Sequence, residues 1–470
     1  MMKQELPVEL ALINRVQQHL NRTAILAENE CFSYQDLLQS SAHMAEQLLQ
    51  GAEDLKERRV AFLLKPGFAY VKVQWGIWRA GGIAVPLSPS HPPPEWEYVI
   101  EDTGADIVVA SSAYLKQLQP ITQKRAVLLI SDIFLTEQSK TLKLPQIHSQ
   151  RRAMILYTSG TTSRPKGVVT THANIQAQTE ALIEAWGWTA ADQILHVLPL
   201  HHIHGIINVL TCALWAGATC EFLPRFEEQT VWQRLGSGEL SLFMAVPTIY
   251  NKLIATWQSL ETDQQQQLSS GCAGMRLMVS GSAALPVTTL AAWKEITGHV
   301  LLERYGMTEI GMALSNPLLG TRVAGHVGQP LSNMEVRRVD ESGQSLADDV
   351  PGEIQVRGPG VFHEYWRKPT ARQTTRHGQQ HDGEAQRKPR WNPARRNRTA
   401  TLHWMRPVCG NVIEPALPAS RLGRNLSQLT RLGLSHHQAA GHDVVQRLPG
   451  KGRPLDLHGY RHADPETRMA

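Results

Sequence analysis

The chain has 470 residues, 42% of them hydrophobic and 19% charged, which fits a soluble globular protein with a real core and room for two or three domains. No apolar run reaches the roughly 18–20 residues that span a bilayer. The five cysteines (Cys31, Cys212, Cys220, Cys272 and Cys409) form no CxxC pair, so neither a disulfide framework nor a zinc site is expected. The formal net charge of +5 conceals a split: residues 371–470 carry 17 Lys plus Arg against 7 Asp plus Glu, and residues 1–370 carry 30 against 35.

The N-terminal MMKQELPVELALINRVQQHL has acidic residues, little Arg or Ser and no small-residue cleavage site, so the chain reads as cytoplasmic. RVAFLL (59–64) predicts a buried strand, FAYVKVQWGIWRAGG a helix closed by glycines, and IAVPL (83–87) a second strand. PEWEYVIEDTGADIVVA predicts a helix, a turn at Thr103–Gly104 and a strand. Strand-like runs recur at AVLLISD, AMILYTSG, QILHVLPL and LMVSGSA, with helical stretches such as HANIQAQTEALIEAWGW and PVTTLAAWKEITG between them. Apolar strands alternating with helices predict a mainly parallel α/β fold over residues 1–322. Residues 323–370 alternate short strands with tight turns and predict a small antiparallel or barrel-like element. Trp78, Trp215 and Trp293 are expected in the core.

Residues 371–470 hold 15 Arg, 2 Lys, 8 His, no Phe and one Ile. Such a segment buries too little apolar surface to offset chain entropy and is expected to form no packed domain.

Residues 156–167, LYTSGTTSRPKG, follow a strand-like run and combine hydroxyls, glycine and one lysine. Backbone N–H groups, hydroxyls and Lys166 suit phosphate oxygens, and a strand-to-helix connection is expected there. The loop is not a Walker A motif, because Pro165 stands at that motif's second glycine and Gly167 at its Ser/Thr.

Further motifs accompany it. YTSGTTSRPKGV resembles the TSGTTGxPKGV signature of the adenylate-forming superfamily, which contains acyl-CoA synthetases, luciferases and peptide-synthetase adenylation domains. RYGMTEIG (304–311) resembles its YGxTE motif, SGSAALP (280–286) its adenine-pocket segment, and PGEIQVRGPGVFHEYWRKP (351–369) its GEIxxRG region. HVLPLHHIHGIINVL, FMAVPTIYNKL and LLERYGMTEIGMALSNPL look most like malonyl-CoA synthetases; short- or medium-chain fatty acyl-CoA synthetases are the alternative.

The resemblance implies a two-step ligase using ATP, Mg²⁺ and CoA, in which a carboxylate attacks the α-phosphorus of ATP and CoA thiol then displaces AMP. It implies that Thr158, Ser159, Gly160, Thr161, Thr162, Ser163, Arg164, Pro165 and Lys166 hold the β- and γ-phosphates. Ser163 stands at a family glycine, at a cost if that position needs φ > 0. Gly281, Ser282 and Ala283 would line the adenine, with Glu303, Tyr305, Gly306, Met307 and Thr308 completing the nucleotide site. Lys166, Thr308, Glu309 and His202 are the expected catalytic residues, with Glu309 approaching Mg²⁺. Arg304 and His202 would receive the substrate carboxylate. An arginine there suits a dicarboxylate, as a charge-assisted and bidentate partner, and an ion pair with Glu303 is its structural alternative.

The family's small C-terminal domain, with its GWxxTGD segment and near-terminal lysine, is not recognisable after residue 370. A frameshift near residue 370 is the expectation, so activity is expected to be impaired. A non-catalytic nucleotide- and acid-binding protein and a nucleic-acid-tethered enzyme are the alternatives. The tail's two Trp and one Tyr show no stacking pattern, so no nucleic-acid partner is expected.

Overall fold

The computed structural model describes residues 10–125, 127–132, 143–158, 164–223, 225–340, 342–347, 350, 352–368 and 398–402, the last five as backbone alone. Two compact units divide the chain after Pro415, and every described residue belongs to the first.

Two large mixed sheets carry the fold. The seven-stranded sheet runs in the order Glu364–Tyr365, Lys166–Thr171, Arg152–Thr158, Ile83–Pro86, Arg59–Leu63, Ile107–Ala110, Leu128–Ser131. Its last five strands are parallel, and the first two are added antiparallel. The nine-stranded sheet runs Gln329–Pro330, Gly311–Ser315, Leu302–Met307, Leu277–Ser280, Leu242–Ala245, Gln193–His196, Thr219–Phe222, Thr23–Ala27, Glu30–Ser33. Its six middle strands are parallel, with antiparallel edges.

These strands form where the sequence offers short runs of Val, Ile, Leu and Ala, buried on both faces as parallel strands must be. The helix Phe68–Arg79 is apolar around most of its circumference, and Tyr70 to Trp78 are buried. It shares one continuous apolar core with residues of both sheets. Trp78, Trp215 and Trp293 are all buried, as the sequence leads one to expect. No helix among the described residues is long and apolar enough to cross a membrane.

One feature differs from the sequence reading. The 156–167 stretch is not a strand-to-helix connection. Arg152–Thr158 and Lys166–Thr171 pair antiparallel, with Thr158 opposite Lys166, so the stretch connects two paired strands of one sheet. The run KGVVTT continues as a strand because its β-branched residues favour one. The helix His172–Trp186 starts only afterwards, from a capping box between Thr171 and Asn174.

The strands of the β-rich segment 323–370 pair antiparallel, one of the two forms expected of it. Glu335–Val339 and Glu353–Gly358 pair antiparallel in an open sheet, while Gln329–Pro330 and Glu364–Tyr365 join the two large sheets. Within 371–470, the described residues are Arg398–Leu402. Their alternating RTATL pairs with Glu353–Gly358 as a third strand.

Candidate active site

The YGMTE motif is a hairpin: Leu302–Met307 pairs with Gly311–Ser315 across a turn at Thr308–Ile310. Glu309 sits in that turn, 6% exposed. Its Oε1 accepts a hydrogen bond from the Tyr365 hydroxyl at 3.0 Å, and its carbonyl accepts from Phe362 N at 2.8 Å. Burial raises its pKa above the ordinary carboxylate value, and the Tyr365 bond and Lys166 pull the other way.

The segment 361–367 therefore brings together the strand that begins at Lys166 and the turn of YGMTE. His363 N donates to Val169 O at 2.7 Å and Trp366 N to Gly167 O at 2.8 Å, which fixes Tyr365 beside the strand that begins at Lys166. The Lys166 ammonium lies 5.5 Å from the Tyr365 ring centroid, within cation–π range. One tyrosine thus bridges the lysine of the phosphate loop and the carboxylate of YGMTE.

The connection between Thr158 and Lys166 is braced by the helix Pro93–Thr103. Tyr98 donates to Pro165 O at 2.8 Å, the Arg164 guanidinium lies 6.0 Å from the Tyr98 ring, and Tyr157 donates to Asp102 Oδ2 at 2.5 Å. Ser159, Gly160, Thr161, Thr162 and Ser163 lie outside the described residues, and the backbone demand on Ser163 lies outside them too.

On the acid side, Arg304 is 3% exposed, and burial pushes its pKa down to about 9, so it stays charged at neutral pH. Its Nη2 donates to Ser282 Oγ at 3.4 Å, and its Nε has no hydrogen-bond partner among the described residues. No carboxylate within ion-pairing distance of it is found among them. Glu303 is not its partner, because adjacent strand residues face opposite sides. Glu303 Oε1 instead accepts from Leu285 N at 2.9 Å.

Ser282 holds a left-handed conformation (φ 68°), which costs a non-glycine residue. There its hydroxyl meets both Arg304 and His204 Nδ1, the latter at 3.1 Å. Gly281 matters beside it, because a Cβ there would collide with the Arg304 guanidinium. Gly281 is buried, whereas Ser282 and Ala283 are exposed.

The histidine brought to Arg304 is His204, not His202. His202 is exposed and packs on His201 at 4.1 Å between ring centroids, and no hydrogen bond joins it to Arg304 among the described residues. His204 is buried, and burial, with Arg304 second, holds its pKa well below the usual value, so it is neutral. Its Nε2 has no hydrogen-bond partner among the described residues. Tyr305, Gly306, Met307 and Thr308 are partly exposed along the hairpin, and Gly306 lies where a Cβ would strike Gly311 O.

Sequence reasoning did not single out Tyr365 or His204. The only signal for Tyr365 was its place in the GEIxxRG region. For His204 it was the third histidine of PLHHIHG, the residue that opens the helix His204–Thr211.

Glu309 alone would not retain a metal, and the described residues hold no cluster of three ligating side chains. One carboxylate beside a phosphate site does fit Mg²⁺, which keeps waters and takes most of its other ligands from phosphate.

A family model described as AMP-binding enzyme matches residues 12–366. Mitochondrial malonate–CoA ligase of Xenopus laevis is 44% identical over 385 residues, covering 74% of this chain and 67% of the relative. An Arabidopsis thaliana malonate–CoA ligase is 35% identical, covering 76% of this chain and 64% of its own. The chain thus spans about two thirds of the length of these curated relatives. ATP-bound MatB of Rhodopseudomonas palustris superposes with a TM-score of 0.70 at 29% identity, over 78% of this chain and 74% of that one. A malonyl-CoA ligase with methylmalonyl-CoA and AMP bound gives 0.68 at 29% identity, over 78% and 75%.

Proposed function

The chain belongs to the AMP-binding enzyme family, and from that premise we propose that it is built to join malonate to CoA through a malonyl-adenylate, at the expense of ATP. The observation that carries the choice of acid is Arg304. A guanidinium buried with no carboxylate partner is expensive unless an anion arrives. A dicarboxylate supplies that anion at its far end and leaves the near carboxylate free to attack the α-phosphorus. A fatty acid would leave the charge unpaired.

The chain's own groups have separable tasks. Lys166 neutralises phosphate oxygens at the 156–167 stretch. Glu309 would hold Mg²⁺, which when bound would offset charge on the triphosphate. Tyr365 fixes Glu309 by its hydroxyl. Arg304, Ser282 and neutral His204 orient the acid, so that positioning and charge complementarity do the chemical work. CoA is the second-step acceptor. The match of the family model ends at residue 366, which supports the reading that residues after 370 do not supply the family's second domain and that turnover is slow. We assign the protein to a reducing compartment, the cytoplasm, consistent with free Cys31, Cys212, Cys220 and Cys272. Cell fractionation checks this, and a mitochondrial pool would overturn it.

The test is the first half-reaction. With ATP and Mg²⁺, malonate should release pyrophosphate faster than propionate or octanoate, and Arg304→Ala should lower the malonate rate roughly 100-fold, the worth of a charge-assisted contact. Preference for octanoate in the unaltered chain would favour the fatty-acid reading.

A further inference from the structure

The stretch His204–Thr211 winds as a π-helix rather than an α-helix. The Thr211 hydroxyl bonds Ile206 O at 2.7 Å, five residues back. Long π turns are rare and recur at functional sites. Inside it stands Asn208, 0% exposed, whose Oδ1 and Nδ2 both lack a hydrogen-bond partner among the described residues. A buried, wholly unpaired amide costs on the order of 1–3 kcal/mol or more, and native proteins rarely keep one without a water or ligand to satisfy it.

The helix register says where that ligand lies. With i→i+5 bonding, residues four and five apart share a face, so Asn208 lies on the face of His204. The His204 ring is fixed against Ser282, and Ser282 against Arg304. Other buried polar atoms here also lack a partner among the described residues: His204 Nε2 and Arg304 Nε. The orphaned groups are two fixed donors (Arg304 Nε and Asn208 Nδ2) and an imidazole nitrogen. That set suits a carboxylate, which accepts up to about four hydrogen bonds.

We propose that Asn208 is a specificity-determining residue of the acid site, its amide donating to the distal carboxylate that Arg304 neutralises. The inference rests on the malonate reading. Arg304 supplies charge, and Asn208 supplies the directed contact that a single buried guanidinium cannot. An acid with a methyl group at that end would leave the amide unsatisfied and be rejected on that ground as well as by Arg304.

The test is calorimetric titration of the full chain with malonate and with propionate, in the presence of ATP and Mg²⁺. Binding does not require turnover. Asn208→Leu is nearly the same size and removes the amide, and Asn208→Ser keeps a hydroxyl. The expected result is malonate affinity lowered tenfold or more in Asn208→Leu, a smaller loss in Asn208→Ser, and propionate affinity unchanged or raised. Thermal unfolding of each variant reports folding, and if Asn208→Leu does not fold, Asn208→Ser alone carries the comparison. Malonate affinity unchanged in the folded variants, with Asn208→Leu merely more heat-stable, would overturn the inference while leaving the malonate reading intact. Unaltered chain that binds propionate as tightly as malonate would overturn the malonate reading, and this inference with it.

Discussion

Tyr365 carries more of the nucleotide site than its place in the sequence suggests. Its hydroxyl is bonded to Glu309, and its ring lies under the Lys166 ammonium. Burial raises the Glu309 pKa and the tyrosine bond lowers it. Tyr365→Phe therefore moves that pKa further up, and the deprotonated form that holds Mg²⁺ appears only at higher pH. The acid limb of the rate profile should shift upward, with a higher Mg²⁺ requirement at fixed pH, as measured by pyrophosphate release across pH. An unmoved acid limb would detach Tyr365 from the metal site. Gly281 is tested in the same way from the acid side. Gly281→Ala puts a methyl group into the Arg304 guanidinium, so malonate affinity should fall at least tenfold while ATP affinity changes little. Equal losses for both ligands would show a general collapse of the loop instead.

At the scale of elements, much of the site is legible from motif spacing, and the misreadings have physical causes. The parallel strands were readable because Val, Ile and Leu runs buried on both faces leave a continuous signature. The hairpin at LYTSGTTSRPKG was not, because a glycine- and hydroxyl-rich tip is compatible with either a strand or a helix behind it. The β-branched VVTT that decides the matter looks the same in a helix start until Thr171 is recognised as a cap. Glu303 and Arg304 were adjacent candidates for an ion pair, which strand alternation forbids. The bracing of the hairpin by Tyr98 was invisible, since it joins residues 67 apart in sequence. Tyr98→Phe removes the bond to Pro165 O and frees the base of the tip. KM for ATP should rise severalfold with kcat for the first half-reaction little changed, and stability should fall by about 1 kcal/mol. A kcat loss without a KM change would place Tyr98 in the chemistry instead.

At the scale of the molecule, the two sheets and their shared core bring the sequence motifs and Arg304 together within residues 10–368, with 159–163 outside the described residues. The change of composition after residue 370 was plain in the sequence. The pairing of Arg398–Leu402 with Glu353–Gly358 was not, because five residues of alternating RTATL give too weak a strand signal against their surroundings. If the tail arises from a frameshift, translation of the gene in the other two frames beyond codon 370 restores GWxxTGD and a lysine near the end. Joining that product to residues 1–370 should then raise malonyl-CoA formation by orders of magnitude while leaving malonate affinity as it is. Neither frame restoring these segments would end the frameshift explanation.

The claim on which the rest depends is that Arg304 waits, buried and unpaired, for the far carboxylate of the acid. Thermal unfolding of the full chain and of Arg304→Met, with ATP and Mg²⁺ and with or without malonate, tests it most directly. Replacing an unpaired buried charge by an apolar side chain of similar length should stabilise the acid-free protein, and malonate should raise the unfolding temperature of the unaltered chain alone. Destabilisation by Arg304→Met together with an equal malonate shift in both proteins would contradict it.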